Sequence, residues 1–272
     1  MTVGPDRLRD KVVLLTGATG GIGVEIVHRL AEEGAHVVVT DLDESACHDL
    51  LRSLARPERH AAHALDVSSE EQWEAVVAAA EATFGALHAL VNNAAIGSVA
   101  TAEDETRSHW DRVIGVGQTG TWLGMKHAGP LIERSGGGSI VNMCSILGTV
   151  GGLGNSVAYA AAKGAVRTMT KNAALHWAKA GVRVNSLHPG FIGTAPLLER
   201  WEAASVIARC WPARRWDGSD AVRRLRPRSP SRRRRLQLRH RLGDLRRRWV
   251  DGGLSCAEEH GLRVMRRPCS SV

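Results

Sequence analysis

Long apolar runs are missing from this 272-residue sequence, and no stretch approaches the roughly 20 residues of a membrane-spanning helix. Residues 6–11 are mostly charged and leave no apolar centre for a signal peptide. The five cysteines are odd in number, scattered and without metal-ligand spacing, so we expect neither a disulfide framework nor a metal site. These absences predict a soluble, cytoplasmic protein without a membrane partner.

Tyrosine is almost absent, because Tyr159 is the only one in the chain. It stands in a Tyr-Ala-Ala-Ala-Lys segment that ends at Lys163. A tyrosine and a lysine four residues apart share one helix face. The ammonium group can therefore approach the phenol and lower its pKa, which is about 10 in an unperturbed tyrosine.

Lysine is absent from the C-terminal part of the chain, although that part is strongly basic. Residues 200–272 hold 20 Arg against 7 Asp and Glu, a net charge of +13, whereas residues 1–199 have a net charge of −5. A disordered, solvated extension is the simplest interpretation, and a nucleic-acid-binding appendage is an alternative. No aromatic stacking platform or base-reading motif accompanies the arginines, so nucleic acid is not the expected partner.

Short β-branched runs alternate with amphipathic segments before residue 199, which predicts an α/β fold with a parallel sheet covered on both faces. Right-handed crossovers make this a doubly wound sheet, whose ligand crevice opens at the carboxyl ends of the strands. We expect one domain over residues 1–198 and an irregular segment over residues 199–272. The predicted strands are residues 12–16, 36–40, 63–67, 87–92, 139–143 and 182–187, and the predicted helices include 22–33 and 70–84.

A glycine-rich turn joins the first predicted strand to the first predicted helix, with Gly17, Gly21, Ile22 and Gly23 at its centre. Glycines are needed where the backbone turns tightly against a pyrophosphate, and the free N–H groups at a helix start attract the negative charge. A tight turn without a ligand is the alternative. The strand-turn-helix context favours dinucleotide binding.

Three further segments end predicted strands. Asp41 can accept hydrogen bonds from an adenosine ribose and would repel a 2′-phosphate, which favours NAD over NADP. The alternative is a strand-end turn formed with Asp43. Asp66-Val67 and Asn93-Ala94 would let the backbone pass close to an adenine or ribose, and an asparagine can tie neighbouring strand ends together.

These segments, with Ser145 and Pro189-Gly190, resemble the classical branch of the short-chain dehydrogenase/reductase family over about residues 8–198. That branch shows a TGxxxGxG turn, an NNAG segment, a serine, a YxxxK pair and a PG segment in this order. The resemblance implies a Rossmann-like NAD-binding domain that interconverts a secondary alcohol and a ketone. Residues 118–120 and 123–126 are similar to those of members acting on hydroxysteroids or other bulky alicyclic alcohols.

The resemblance also implies a role for each residue of the site. Tyr159 would be the general acid or base, Lys163 would lower its pKa and hold the nicotinamide ribose, and Ser145 would hydrogen-bond the reacting oxygen. After Pro189-Gly190, the Ile192 backbone and the Thr194 hydroxyl would face the nicotinamide carboxamide. Two neighbouring residues, His188 and Cys144, are expected to be structural rather than catalytic.

Two departures from the family pattern leave alternatives open. The family's VNxxG helix carries an asparagine that supports a proton path to the lysine, and this chain has Gly117 there. Glycine cannot supply that side chain, so a cofactor-binding protein with little or no turnover is an alternative to an active enzyme.

The C-terminal part departs further, since residues 201–249 show neither the family's substrate lid nor its last strand. We interpret the segment as a frame-shifted translation, because arginine without lysine is expected when GC-rich codons are read out of frame. Residues 237–249 can be written as codons that, when read one base later, encode the peptide SYVTGSEIYVDGG. This peptide resembles the last strand of the family. The lid and strand are thus expected to be missing or scrambled. The family implies a homodimer or homotetramer, and losing the strand would remove much of that interface.

Overall fold

The computed structural model describes residues 6–97, 99–150, 154–190 and 192. It contains one six-stranded, fully parallel sheet with the strand order β3-β2-β1-β4-β5-β6. The strands are β1 (Val12–Thr16), β2 (His36–Asp41), β3 (Ala61–Ala64), β4 (Ala89–Asn92), β5 (Gly138–Met143) and β6 (Val182–Leu187). This order is that of a doubly wound Rossmann-like sheet, which confirms the predicted fold class.

Helices connect the strands and cover both faces of the sheet. They are α1 (Gly21–Glu32), α2 (Glu44–Arg52), α3 (Glu70–Phe84), α4 (Arg107–Ile114), α5 (Gly120–Arg134), α6 (Leu147–Val150) and α7 (Val157–His176). A π-helical turn, Gly115–Thr119, joins α4 to α5. No helix within the described residues is long and apolar enough to cross a membrane.

The central strand β1 is buried along its whole length, as expected for a parallel sheet covered on two sides. Val13 and Leu15 pack on the face that α1 covers, and Val12 and Leu14 pack on the opposite face. The second face is filled by α3, where Trp73 is fully buried and donates its indole N–H to the Val67 carbonyl at 2.9 Å. Burial of both faces fixes the strand register, since a slip of one residue would move the side chains of each face to the opposite face.

Capping residues explain where α2 and α3 begin and where α3 ends. The Asp43 carboxylate accepts from two N–H groups at the start of α2, and the Ser69 hydroxyl accepts from the Gln72 N–H at the start of α3. Gly85 ends α3 in a left-handed conformation with φ of 72°. Asp43 therefore caps a helix, which gives it a role separate from that of Asp41.

The predicted bounds of two strands are wrong by two or three residues, and those of β2 and β5 are wrong by one residue. The third strand covers Ala61–Ala64 rather than residues 63–67, because Asp66 turns the chain away by accepting from the Ser68 N–H and hydroxyl. The fourth begins at Ala89 rather than residue 87, because the Leu87 N–H donates to the Ser135 hydroxyl instead of to a neighbouring strand. Thr194 and residues 199–272 lie outside the described residues.

Candidate active site

A cavity of about 1550 Å³ opens at the carboxyl ends of the strands. It extends from the glycine turn and Asp41 to Ser145, Tyr159 and Lys163. The predicted site residues that line it are Gly17, Gly21, Ile22, Gly23, Asp41, Asp66, Val67, Asn93, Ala94, Ser145, Tyr159, Lys163, Pro189, Gly190 and Ile192. The structure thus brings together residues that are spread over most of the domain.

The glycine turn has the close packing that only glycine allows. Gly17 has a φ of 61°, and a Cβ placed on it would lie 2.7 Å from the Ala94 Cα. A Cβ on Gly23 would lie 2.2 Å from the Gly17 carbonyl oxygen. Helix α1 begins directly after Gly20, so its first N–H groups lie beside the cavity. This arrangement suits a pyrophosphate.

Asn93 ties the end of β4 to the glycine turn. Its amide group donates to the Thr16 carbonyl at 3.1 Å and to the Gly17 carbonyl at 2.8 Å. In return, the Thr16 hydroxyl accepts from the Asn93 N–H at 3.0 Å and from the Ala94 N–H at 3.1 Å. The sequence predicted that the Asn93 side chain would link neighbouring strand ends. It did not predict the hydrogen bonds that the Thr16 hydroxyl accepts, although a threonine at the end of a buried strand is a recognisable signal.

The Asp41 carboxylate faces the cavity and is already held in place. One oxygen accepts from the Thr19 N–H at 3.0 Å and from the Thr19 hydroxyl at 2.6 Å, and the other accepts from the Leu42 N–H at 2.8 Å. Each carboxylate oxygen has about two acceptor sites, so the oxygen bound to Leu42 keeps one free for a ligand. Sequence reasoning missed Thr19, which also lines the cavity.

Ser145 and Tyr159 form the other end of the cavity. Ser145 is buried, and its hydroxyl oxygen accepts from the Leu147 N–H at 3.1 Å. Loss of water contact raises the pKa of Tyr159, and a side-chain hydrogen bond with Ser145 partly offsets this. The net shift in the Tyr159 pKa is upward, opposite to the direction expected from a nearby lysine.

Lys163 explains this difference. Its side chain is buried, and Nζ donates to the Met143 carbonyl at 2.6 Å while lying 5.6 Å from the centre of the Tyr159 ring. Burial lowers the pKa of Lys163 to about 8. The ammonium group is thus bound to the end of β5 rather than to the phenol oxygen.

Gly117 lies in the π-helical turn and packs closely against α7. A Cβ placed on Gly117 would lie 3.3 Å from the Ala162 Cβ, which is tighter than an ordinary contact. The Gly117 carbonyl accepts from the Thr121 hydroxyl at 2.9 Å. The glycine that replaces the family's asparagine thus lies where the π-helical turn packs closely against α7.

Cys144 is buried beside Ser145, and its thiol contacts the Lys163 carbonyl at 3.0 Å. Burial raises the pKa of this thiol, which disfavours the nucleophilic thiolate form. The structure thus agrees with a packing role for this residue.

The surface that lines the cavity is mainly apolar. Ile146 and Leu147 follow Ser145, and the segment after β4 supplies Val99. This segment lies close to the start of α7, because the Val157 N–H donates to the Ala100 carbonyl at 3.3 Å. Sequence reasoning did not identify these wall residues, since they belong to loops without a strong motif.

Comparisons with known proteins agree with this geometry. A family model described as short chain dehydrogenase matches residues 11–204. The chain is 39% identical over 204 residues to cyclohexanol dehydrogenase of Acinetobacter sp. (strain SE19), with 74% of this chain and 80% of the relative covered. It is 40% identical over 188 residues to 3-alpha-(or 20-beta)-hydroxysteroid dehydrogenase of Mycobacterium tuberculosis, with 69% and 71% covered.

A solved structure shows the same architecture. The crystal structure from Sinorhizobium meliloti 1021 that is described as a short-chain alcohol dehydrogenase has a TM-score of 0.74 and 32% sequence identity. The superposition covers 82% of this chain and 92% of that one. By its sequence match, its strand order and its relatives, the chain belongs to the classical branch of the short-chain dehydrogenase/reductase family.

Proposed function

We propose that this protein is an NAD(H)-dependent oxidoreductase that interconverts secondary alicyclic alcohols and the corresponding ketones. The observation that carries the proposal is the single cavity that joins a glycine turn and Asp41 to Ser145, Tyr159 and Lys163. A dinucleotide-binding end and a proton-transferring end in one cavity are what hydride transfer requires.

The first end suits a nicotinamide dinucleotide. Side chains at Gly17 and Gly23 would collide with neighbouring backbone, so the loop has the close packing typical of a pyrophosphate-binding turn. The acceptor site left on Asp41 suits a ribose hydroxyl, and its charge disfavours a 2′-phosphate. The bound cofactor would supply the carbon that gives or takes the hydride.

The second end suits proton transfer to or from the substrate oxygen. Tyr159 donates its phenolic proton when a ketone is reduced, and its phenolate accepts the proton when an alcohol is oxidised. The Ser145 oxygen accepts from the Leu147 N–H, so its one hydrogen can be donated either to Tyr159 or to the substrate oxygen. Lys163 contributes a buried positive charge and a donor for the nicotinamide ribose.

The apolar wall supports the substrate class. Ile146, Leu147 and Val99 offer hydrocarbon surface in the same cavity as the reacting groups, which suits a ring that carries one hydroxyl or carbonyl group. Two of the relatives are named for a cyclohexanol and a hydroxysteroid, both of them alicyclic alcohols.

A second candidate function is cofactor binding with little or no turnover. Gly117 favours it, because no side chain at this position can support a proton path to Lys163. NADH would then bind while alcohols and ketones stay unchanged.

One experiment separates the two candidates. The purified protein is titrated with NADH, and NAD-dependent oxidation is then measured on cyclohexanol, cyclopentanol and a panel of hydroxysteroids. Binding with turnover supports the oxidoreductase, and binding without turnover on any substrate supports the second candidate. Absence of NADH binding would contradict both.

A further inference from the structure

His188 lies directly after β6, and its ring contacts the backbone of Ser145. The imidazole is partly buried and does not line the cavity. Nδ1 is 3.1 Å from the Ser145 carbonyl oxygen and 3.4 Å from the Thr149 hydroxyl, and Nε2 is 2.8 Å from the Ser186 hydroxyl. Both ring nitrogens are therefore in contact with polar groups, and one contact is with the backbone of Ser145.

The contact with Ser145 fixes the protonation pattern of the ring. A carbonyl oxygen can only accept, so Nδ1 must carry a hydrogen. In the neutral ring, Nε2 is then an acceptor and the Ser186 hydroxyl donates to it. The Ser186 hydroxyl, which can donate or accept, thus acts as the donor in this tautomer and helps to hold the ring against Ser145.

The neighbours of Ser145 are held by β6 in a different way. The Cys144 N–H donates to the Leu187 carbonyl at 2.8 Å, and the Ile146 N–H donates to the Pro189 carbonyl at 3.0 Å. Backbone groups therefore align the residues on either side. The Ser145 carbonyl between them accepts from the Gly148 N–H at 3.2 Å and from the His188 side chain, which is the one partner that β6 supplies to it. This carbonyl belongs to the peptide unit whose rotation would displace the Ser145 hydroxyl.

We propose that His188 is a positioning residue, which holds the Ser145 backbone so that its hydroxyl lies correctly for Tyr159 and the substrate oxygen. Ser186 supports it by a hydrogen bond to Nε2, which holds the ring in place. The catalytic part of this inference rests on the proposed oxidoreductase function. The placement of Ser145 relative to Tyr159 does not, and it can be measured without turnover.

Two substitutions of His188 each keep one of the two ring contacts and remove the other. His188→Asn keeps a donor near the Nδ1 position and loses the group that reaches Ser186. His188→Gln keeps a polar group near the Nε2 position and loses the donor to Ser145. Thermal unfolding and NADH titration of both variants check that fold and cofactor binding survive.

Tyr159 provides a direct spectroscopic readout, because it is the only tyrosine in the chain. Its phenolate absorbance reports the Tyr159 pKa, and the Ser145 hydrogen bond lowers that pKa. His188→Gln should raise the measured pKa toward that of Ser145→Ala, whereas His188→Asn should stay closer to the wild type. In turnover, His188→Gln should lower kcat on the order of tenfold to a hundredfold with little change in the KM for NAD, and His188→Asn should recover most of this loss.

Equal Tyr159 titrations and equal kcat values in the two variants would overturn the proposal. If the wild type shows no turnover, the proposed function fails while the titrations still decide the positioning role. If His188→Gln does not fold, Ser186→Ala takes its place, and it should raise the Tyr159 pKa in the same direction. An unchanged pKa in a folded Ser186→Ala protein would also overturn the proposal.

Discussion

Thr19 donates two hydrogen bonds to one oxygen of Asp41, one from its backbone N–H at 3.0 Å and one from its hydroxyl at 2.6 Å. The pair links the glycine turn to the end of β2, which are the two segments expected to hold the adenosine half of the cofactor. The carboxylate is therefore oriented before a ligand arrives. A preformed acceptor loses less freedom on binding than a mobile one.

Cofactor choice should follow from this pair. NADH should bind more tightly than NADPH, and Asp41→Ala should weaken NADH binding by roughly tenfold to a hundredfold, the range for a hydrogen bond to a charged group. Thr19→Val should weaken it less, and Thr19→Ser, which keeps the hydroxyl, is the matched control. Direct titration measures each affinity. Tighter binding of NADPH by the wild type would contradict the assignment.

Gly117→Asn should alter turnover in a way that depends on Ala162. Alone, the new Cβ would press on the Ala162 Cβ at 3.3 Å, so the gain from a restored side chain is opposed by strain. Combined with Ala162→Gly, which provides space, it should raise kcat above that of the Ala162→Gly single variant. Steady-state kinetics on the three variants and the wild type test this, and no gain in the double variant would contradict it.

Acid should destabilise the protein through His60. Its Nδ1 accepts from the Val37 N–H at 3.1 Å at the start of β2, and burial lowers the pKa of His60 to about 4. The unfolded chain, with a histidine pKa of about 6.5, then binds more protons than the folded one. The contribution of this group is present above pH 6.5 and is lost as the pH falls toward 4.

Urea unfolding between pH 7 and pH 4 measures this effect. His60→Gln should flatten the fall in the free energy of unfolding between about pH 6.5 and 4. His48→Gln, at an exposed position on α2, serves as the control and should leave the slope close to that of the wild type. Equal slopes in the His60→Gln variant and the wild type would rule out His60 as the source.

Much of the fold and the site could be predicted from the sequence because those features depend on local patterns. The buried strand β1, the glycine turn and the Tyr159/Lys163 pair each lie within a short segment. The ends of β3 and β4 could not, since Asp66 and Ser135 determine them through side-chain hydrogen bonds to backbone groups.

Contacts between distant segments were also beyond sequence reasoning. The sequence predicted that Lys163 acts on Tyr159, but Nζ is bound to the Met143 carbonyl, a backbone acceptor that no motif marks. The Thr19 contact with Asp41 and the His188 contact with Ser145 depend in the same way on how separate strands end side by side. The apolar wall near Val99 comes from a loop without a repeating pattern.

Resequencing the gene should reveal a shift of reading frame between residues 198 and 215. The basis is compositional, because residues 200–272 hold 20 Arg and no Lys. The corrected frame should encode a last strand similar to SYVTGSEIYVDGG. An uninterrupted frame, together with an active product that carries the arginine-rich segment, would contradict this interpretation.

The Tyr159→Phe substitution tests the proposed function most directly. Phenylalanine preserves the ring and removes only the proton that is transferred, so NAD-dependent oxidation of a cyclic alcohol should fall by at least about a hundredfold. NADH affinity, measured by titration on the same preparation, should stay close to that of the wild type. Turnover retained in Tyr159→Phe would contradict the role of this residue as the acid and base.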